Sequence, residues 1–135
     1  MIFMTNRNYS QKREAIFGAL KSDDTHPTAE TLYLRLKDNY PEISLATVYR
    51  NLKLFCDNGD VVSAGIVNGQ ERFDPRTDEH EHFICKYCGT IMDVDFDLNR
   101  AKLYDAVSAE LGATVDSHKL TLYGKCKNCL QNKNL

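Results

Sequence analysis

Residues 44–73 read SLATVYRNLKLFCDNGDVVSAGIVNGQERF and combine an amphipathic helix with a β-hairpin. Ser44 is a typical N-cap residue, and the apolar side chains that follow it recur at helical spacing. They are Leu45, Val48, Leu52 and Phe55. Gly59 interrupts this pattern, and two runs of strand-forming residues then flank Asn68-Gly69, a dipeptide typical of two-residue hairpin turns. We therefore predict a helix and, directly after it, a two-stranded hairpin.

Two further helices are predicted upstream of this stretch. The first begins with Ser10 as its N-cap and ends in the polar run of residues 22–25. Its inward-facing residues are Ile16, Phe17 and Leu20. The second follows Pro27, stops at Pro41 and buries an apolar stripe made of Leu32, Leu36 and Tyr40. Three helices followed by a hairpin predict a winged helix-turn-helix.

The third helix is the one expected to read DNA. The outward part of its N-terminal half offers a small residue, a hydroxyl, a phenol and a guanidinium, which are side-chain types that contact base edges in the major groove. These residues are Ala46, Thr47, Tyr49 and Arg50. An ordinary solvated helix face has a similar composition, so this pattern alone leaves both interpretations open.

Two Cys-x-x-Cys pairs mark the second half of the chain. Cys85 and Cys88 form the first pair, and Cys126 and Cys129, separated from it by 37 residues, form the second. Each pair can hold a metal ion from one tight turn, and four thiolates are a typical ligand set for Zn2+. Because four cysteines leave no open coordination position, we expect a structural zinc. The alternatives are two disulfides or a thioredoxin-like dithiol, but no secretory segment is visible and a redox motif requires no second pair.

Length and composition agree with a small soluble protein of the cytoplasm. The 135 residues suffice for one moderate core or two small ones, and we see neither a signal peptide nor an apolar run long enough to span a membrane. The formal net charge is -2, but residues 1–55 hold 8 Lys/Arg against 6 Asp/Glu, whereas residues 56–135 hold 9 against 13. This asymmetry is compatible with phosphate contact in the first part and cation binding in the second.

A second set of metal-ligand side chains flanks the first cysteine pair. His80 and His82 are two residues apart, so on a strand both imidazoles point to one face. Asp93 follows the cysteine turn, and its carboxylate would meet these imidazoles if the two strands pair. Such a mixture of nitrogen and oxygen donors suits Fe2+, Mn2+, Co2+, Ni2+ or Zn2+. A solvated turn rich in acids and histidines is the alternative interpretation.

Taken together, the motifs resemble those of the ferric uptake regulator family of bacterial metal-dependent repressors. They cover nearly the whole chain in the expected order and are His26-Pro27-Thr28-Ala29-Glu30, Ser44-Leu45-Ala46-Thr47-Val48-Tyr49-Arg50-Asn51-Leu52, Arg72-Phe73-Asp74, His80-Glu81-His82-Phe83-Ile84-Cys85 and the two Cys-x-x-Cys pairs. The resemblance implies a homodimer that binds a palindromic operator in double-stranded DNA. It also implies an α+β fold, with an N-terminal winged helix-turn-helix domain at residues 1–75 and a C-terminal α/β dimerisation domain at residues 76–135.

The local pattern of the second half fits such a dimerisation domain. Asp97 is a candidate N-cap for a helix that ends at Gly112. The helix would present Leu98, Ala101, Tyr104, Val107 and Leu111 on one stripe. Residues 115–123 then alternate as in a strand, with His118, Leu120 and Leu122 on one face.

For a regulatory Fe2+ or Mn2+, the resemblance implies ligands from both domains. Matched motif by motif, these are His26, Asp74, His80, His82 and Asp93. Bound metal would hold the two winged helices of a dimer at the spacing of the operator, and loss of metal would release them. Without the resemblance, His26 before Pro27 would be interpreted as a helix-start residue. Glu81 and His118 match positions of a further metal site, although Glu79 stands where family members often have histidine.

The aspartate at position 93 is similar to that of the peroxide-sensing branch of the family, whereas iron-sensing members usually have glutamate at this position. This likeness implies that Fe2+ and hydrogen peroxide together oxidise a ligand histidine, His26 or His80, whereas Mn2+ supports DNA binding and is nearly inert to peroxide. Only nine residues precede Ser10, so the resemblance also predicts a shortened N-terminal helix that offers fewer DNA contacts.

The sequence thus predicts a cytoplasmic, homodimeric, metal-dependent repressor that senses peroxide and is not an enzyme. We expect the outward residues of the third helix in the major groove, with Lys53 and Lys12 as phosphate contacts. A regulator of iron, zinc or manganese homeostasis is an alternative within the same family. A small metallohydrolase would need a base such as Asp78, Glu79 or Glu81, but no nucleophile or phosphate-binding loop accompanies them. A zinc-ribbon interaction module would leave the helix-turn-helix unexplained.

Overall fold

The chain forms two compact units. The computed structural model describes residues 2–95 and 98–132, with side chains from Gln11 onward. One unit comprises Met1–Asp78 with Gly89–Ile91, and the other comprises Glu79–Cys88 with Met92–Leu135. The short segment Gly89–Ile91, which follows the first cysteine pair in the chain, therefore belongs to the helical unit. Across the described ranges, no helix is both long and apolar enough to cross a membrane.

The first unit consists of three helices and a hairpin. The helices are α1 (Ile2–Lys21), α2 (Ala29–Leu36) and α3 (Leu45–Asn58), and the antiparallel strands are β1 (Val62–Val67) and β2 (Gln70–Asp74). The turn residues Asn68 and Gly69 have φ angles of 54° and 79°, the left-handed values that the predicted two-residue turn requires. This order of elements confirms the predicted winged helix-turn-helix.

Local signals define both ends of α3. The side chain of Ser44 accepts a hydrogen bond from the N–H of Thr47, and Gly59 ends the helix in the left-handed conformation with a φ of 81°. In the predicted inward stripe Val48, Leu52 and Phe55 are buried, and Leu45 is half-buried against the same core. Burial of each such side chain contributes roughly 1.5–3 kcal/mol, so this stripe fixes which face of α3 points outward.

The core of the first unit draws on all three helices and the hairpin. Its completely buried side chains include Ile16, Leu20, Leu32, Val48 and Leu52. Phe17 meets Phe55 edge to face, with ring centroids 5.2 Å apart. Cys56 is half-buried and packs against this cluster, as expected of a small apolar residue.

Two predictions about these helices are wrong. Ser10 lies inside α1, because residues 2–9 continue the helix and satisfy the backbone donors that an N-cap would otherwise bond. The expected shortened N-terminal helix is thus part of α1. Tyr40 lies outside α2 and is 37% exposed, whereas Ile43 is 4% exposed and fills the core. The chain turns after Leu36, whose carbonyl oxygen accepts a hydrogen bond from the N–H of Tyr40. This turn brings Ile43 inward.

The second unit is organised around a small sheet. Its strands are β3 (Glu81–Cys85), β4 (Ile91–Val94) and β5 (Thr121–Gly124), in the order β4-β3-β5, and its helices are α4 (Arg100–Leu111) and α5 (Lys127–Gln131). β3 and β5 run parallel, with Cys85 opposite Gly124. Because the carboxyl ends of parallel strands meet at one edge of a sheet, the two cysteine turns emerge side by side.

α4 differs in part from its prediction. It ends at Gly112 in the left-handed conformation as expected, but it is capped by Asn99, whose side chain accepts from the N–H of Lys102 at 3.1 Å. Asp97, the predicted cap, lies outside the described residues. None of the side chains of α4 is fully buried among the described residues. Within the predicted apolar stripe Leu98, Tyr104 and Val107 are half-buried, and Ala101 and Leu111 are exposed.

The strand predicted over residues 115–123 is shorter than expected. Only Thr121–Gly124 forms β5, and its ladder partners are His82 to Cys85 of β3. In the parallel register, the residues before Leu120 would lie opposite residues that precede β3, where the described sheet has no strand. Sequence alternation cannot reveal this limit, because it is set by the length of the partner.

Candidate metal and DNA-binding sites

The four cysteines of the two pairs converge in the second unit. Their sulfur atoms all lie within 4.8 Å of one another, with Cys85 Sγ 3.7 Å from Cys129 Sγ and Cys88 Sγ 3.7 Å from Cys126 Sγ. A disulfide requires about 2.0 Å. The edges of a tetrahedron with Zn–S bonds of about 2.3 Å measure about 3.8 Å. The cluster therefore fits the predicted structural zinc site, and all five cysteines of the chain are free of disulfides.

The backbone around these sulfurs favours the thiolate at one position. The N–H of Cys126 points to Cys85 Sγ at 3.4 Å. Burial by itself raises the pKa of the Cys85 thiol, but backbone N–H groups, that of Cys126 foremost, outweigh it and lower the pKa to about 6. Burial raises the pKa of Cys129 to about 12, and the neighbouring thiols add to this shift. A divalent cation would allow all four groups to ionise together.

His26 and Asp74 form a buried pair inside the first unit. Nε2 of His26 lies 3.2 Å from Oδ2 of Asp74, and both side chains are 3% exposed. His26 has a φ of 57°, the left-handed region that few residues other than glycine adopt. Asp74 ends β2, and its other carboxylate oxygen accepts from the N–H of Arg76 at 2.9 Å. Thr28 caps α2, so His26 precedes the helix and is not its start.

His80, His82 and Asp93 form a second group, within the second unit. Nε2 of His80 and Nε2 of His82 lie 3.1 and 3.4 Å from Oδ1 of Asp93, and the two nitrogens are 3.1 Å apart. This is the convergence expected when β3 and β4 are neighbours. Donor atoms bound to one ion at about 2.1 Å lie about 3.0–3.4 Å from each other, so these three atoms are spaced like ligands of one ion. The imidazoles are 2% and 11% exposed, which contradicts a solvated turn.

Glu81 and His118, the residues expected at a further metal site, also meet. His118 Nε2 lies 3.3 Å from Glu81 Oε1, and His118 Nδ1 lies 2.7 Å from the hydroxyl of Tyr104. Tyr104 was predicted only as an apolar residue of α4, so this contact was missed. Both ring nitrogens of His118 thus have partners within the protein. Glu79, in the position where histidine is frequent, pairs with Arg100.

Most of the predicted DNA contacts are exposed on α3. These are Ala46, Tyr49, Arg50 and Lys53. Thr47 was expected to point outward, but it is only 9% exposed because its hydroxyl packs against the cap, 2.9 Å from Ser44 Oγ. The same hydroxyl accepts from Arg50 Nη2 at 3.2 Å and so orients that guanidinium. Lys12 is half-buried on α1.

Arg72 was not predicted to take part in any site. Its guanidinium donates to the carbonyl oxygens of Thr25 at 2.8 Å and Gly89 at 3.0 Å, and also to that of His26. The Arg72-Phe73-Asp74 motif contained the only sequence signal for this role. An arginine two residues before Asp74, an expected ligand, can reach the loop of His26 that Asp74 contacts. Its partners are distant in sequence, so spacing could not identify them.

Comparison with known proteins gives the family. The sequence model of the ferric uptake regulator family matches residues 5–123. The chain is 38% identical over 119 residues to the peroxide-responsive repressor PerR of Staphylococcus aureus, with 87% of this chain and 79% of the relative covered.

Two solved structures agree with this assignment. The peroxide stress regulator of Campylobacter jejuni matches with a TM-score of 0.77 and 31% identity over 96% of both chains. The ferric uptake regulator of Francisella tularensis, solved with iron, matches with a TM-score of 0.78 and 28% identity over 90% of this chain and 92% of that one. These matches confirm the fold class that the motifs indicated, and the chain belongs to the ferric uptake regulator family.

Proposed function

We propose that this chain is a cytoplasmic, homodimeric, metal-dependent transcriptional repressor that responds to hydrogen peroxide. The observation that carries the proposal is the convergence of two buried imidazoles, His80 and His82, on one carboxylate oxygen of Asp93. The relatives supply the class of function. One is named as a peroxide-responsive repressor and another as a peroxide stress regulator.

The proposed regulatory site takes one Fe2+ or Mn2+. Its ligands are His26, Asp74, His80, His82 and Asp93. Each unit supports this set separately. His26 is paired with Asp74 in the first unit, and His80 and His82 are paired with Asp93 in the second. Imidazole and carboxylate donors suit these ions, whereas the nearby thiolates favour zinc. An ion that takes ligands from both units would favour one arrangement of them, and DNA binding would then depend on metal.

His26 and His80 are the ligands that we expect to be oxidised. Bound Fe2+ would supply the chemistry that splits the O–O bond of hydrogen peroxide beside these rings. One oxygen atom of the peroxide would replace the hydrogen on an imidazole carbon as a hydroxyl group, and the other would leave as water with that hydrogen. The modified ring is a poorer ligand, so the site loses affinity for metal and repression ends. Each molecule responds once, without turnover, which distinguishes this sensor from an enzyme.

We assign operator binding to residues 1–75. Arg50, Tyr49 and Ala46 are exposed on α3 and suit the major groove, while Lys53 and Lys12 suit phosphates. Thr47 supports this face indirectly, since its buried hydroxyl accepts a hydrogen bond from Arg50.

We assign dimerisation to residues 76–135. α4 buries none of its side chains, and several large apolar residues of this unit are exposed. They include Met92 at 41%, Leu103 at 41%, Leu111 at 69% and Leu122 at 41%. A second copy of the chain is the partner that would cover these side chains, and a two-fold dimer would match a palindromic operator.

Peptide mass spectrometry tests the proposal. The zinc-containing protein is loaded with Fe2+ without oxygen, treated with one equivalent of hydrogen peroxide and digested, and an Mn2+-loaded sample serves as control. We expect one added oxygen on the peptide with His26 or His80 in the iron sample alone. Operator binding, measured in parallel by fluorescence anisotropy, should require either metal before treatment and be lost afterwards only in the iron sample.

Two outcomes would redirect the assignment. Unmodified histidines despite measured iron occupancy, with operator binding retained, would make the chain a regulator of metal homeostasis. Failure to bind any operator DNA with either metal, together with turnover of an ester or phosphoester, would favour the metallohydrolase.

A further inference from the structure

Arg72 connects the carbonyl groups of the adjacent residues Thr25 and His26 with the carbonyl group of Gly89, which is far from both in sequence. Its Nη2 donates to Thr25 O at 2.8 Å and its Nη1 to Gly89 O at 3.0 Å, while its Nε donates to His26 O. All of these residues belong to the first unit. The planar guanidinium presents its N–H groups in a rigid fork, so one side chain can fix several acceptors in a defined geometry.

The first of these links stabilises an unfavourable backbone. His26 has a φ of 57°, which brings Cβ of an L-residue close to its own carbonyl oxygen. The loop from Ser22 to Thr28 has few helical hydrogen bonds to hold it in this shape. Arg72 donates to Thr25 O, in the peptide group that leads into His26, and to His26 O, in the peptide group that leaves it. The N–H of Phe73 also donates to Pro27 O at 3.0 Å. The direction of the His26 ring therefore depends on β2.

The second link reaches the residue that follows a zinc ligand. Gly89 comes directly after Cys88, has a φ of 79° and packs so closely that a Cβ atom there would lie 3.2 Å from Cγ1 of Val67. The Gly89 turn therefore lies directly against Val67 of the hairpin. Arg72 thus bonds both the loop of His26 and the turn that leaves the first cysteine pair.

We propose that Arg72 is a positioning residue for the regulatory metal, which holds His26 in its binding conformation by anchoring that backbone to β2 and to the Gly89 turn. The proposal rests on the assignment of His26 as a metal ligand under the proposed function. Partners that orient a ligand typically change metal affinity roughly 10- to 100-fold when they are removed. We expect a loss of this size for Mn2+ when Arg72 is replaced.

The direction of the effect separates positioning from electrostatics. A positive charge in the same unit as a cation ligand repels the cation, so removing it should tighten Mn2+ binding if charge were its only contribution. Positioning predicts the opposite result. Arg72→Lys keeps the charge but cannot form the three-carbonyl fork, so it should weaken Mn2+ binding as Arg72→Met does.

The test is a calorimetric Mn2+ titration of the full-length zinc-containing protein and four variants. Arg72→Met and Arg72→Lys probe the proposal. Arg50→Met is the matched control, because it also removes one arginine charge from the first unit. The Arg50 side chain bonds Thr47 on α3 and none of the carbonyl groups that Arg72 bonds. His26→Ala tests the underlying site. Zinc content and far-ultraviolet circular dichroism establish that each variant is folded.

Hydrogen exchange of the same samples without Mn2+ gives a second readout. We expect faster exchange in peptides that cover residues 22–28 and 88–92 of both Arg72 variants, with Arg50→Met unchanged. Weaker Mn2+ binding by His26→Ala and by both Arg72 variants, with Arg50→Met like the parent, would support the proposal.

Other results discriminate the two assignments. If His26→Ala binds Mn2+ as tightly as the parent, the ligand assignment itself is wrong. If His26→Ala is weakened but a folded Arg72→Lys binds Mn2+ like the parent or more tightly, Arg72 does not position the site. Should Arg72→Met fail to retain zinc, Arg72→Lys and its exchange profile still decide between these outcomes.

Discussion

His26 shows that a motif can indicate a candidate ligand without revealing which contacts hold that residue in place. The motif gave its identity as a ligand candidate, but its left-handed backbone and its burial beside Asp74 arise from contacts more than 40 residues away in sequence. Thr47 shows the reverse case. It was assigned to the DNA face by helical spacing, although its hydroxyl is committed to the cap and to Arg50. Spacing predicts a face, and neighbours determine what each side chain does there.

Arg50 is the side chain on α3 for which a DNA contact is most testable. Replacing it with alanine should reduce discrimination between matched and scrambled operators by about 1–3 kcal/mol if it reads a base. A phosphate contact would instead weaken binding to both DNAs alike and lower the salt dependence. Titrations of Mn2+-loaded protein with both DNAs distinguish these cases. Parent-like affinity for both would remove Arg50 from the interface.

The junction between α1 and α2 depends on a buried carboxylate. Asp23 is 8% exposed, accepts from the N–H of Thr25 at 2.8 Å and pairs with Arg35 on α2. Burial alone raises the pKa of Asp23, but the Thr25 hydrogen bonds and Arg35 outweigh it and lower the pKa below 3.8. A carboxylate with a lowered pKa stabilises the fold fully above its ordinary pKa, and this contribution disappears as the pH falls through the lowered value.

Asp23→Asn should therefore lower the free energy of unfolding at neutral pH by about 1–3 kcal/mol. The difference from the parent should stay constant down to about pH 5 and shrink below about pH 4, where the parent loses the same charge. Denaturant unfolding at a series of pH values measures it. Asp24→Asn, at an exposed neighbour, is the control that should have little effect. A difference that grows on acidification would contradict the assigned role of Asp23.

Elements with local determinants could be predicted, and those with distant determinants could not. α3 has its cap, its stripe and its stop within residues 44–59, and the hairpin has its turn in two residues, so both were predicted correctly. Ile43 was missed because the turn after Leu36, rather than any periodicity, brings it into the core. β5 was predicted too long because its extent is set by β3. The contacts of Tyr104 and Arg72 were missed for the same reason, since their partners lie in loops distant in sequence.

For the molecule as a whole, the zinc site is expected to organise the second unit. The buried cluster there includes Cys85, Cys126 and Cys129, with Phe83 packed against them. Structural zinc contributes on the order of 10 kcal/mol to the folding of small zinc domains, so loss of one ligand should be severe. Cys88→Ser should reduce the zinc content well below one ion per chain and abolish dimerisation.

Cys56→Ser is the matched control, because Cys56 lies in the first unit and outside the cluster. It should retain one zinc per chain and a dimer, with at most a modest loss of stability. Elemental analysis together with analytical ultracentrifugation measures both properties. Stoichiometric zinc in Cys88→Ser would show that the four-cysteine assignment is wrong.

If α4 packs against a second copy of the chain, as we propose, the folding of this protein depends on its abundance. The helix has 12 residues, none of them fully buried by the described part of the chain, and isolated helices of this length are marginal in water. If a second copy supplies the missing packing, helix formation becomes a bimolecular event whose extent rises with protein concentration. Dilution would then melt α4 while leaving the three-helix unit intact. Under the proposed function, the number of molecules in a cell would then become a component of the regulatory threshold, alongside metal and peroxide.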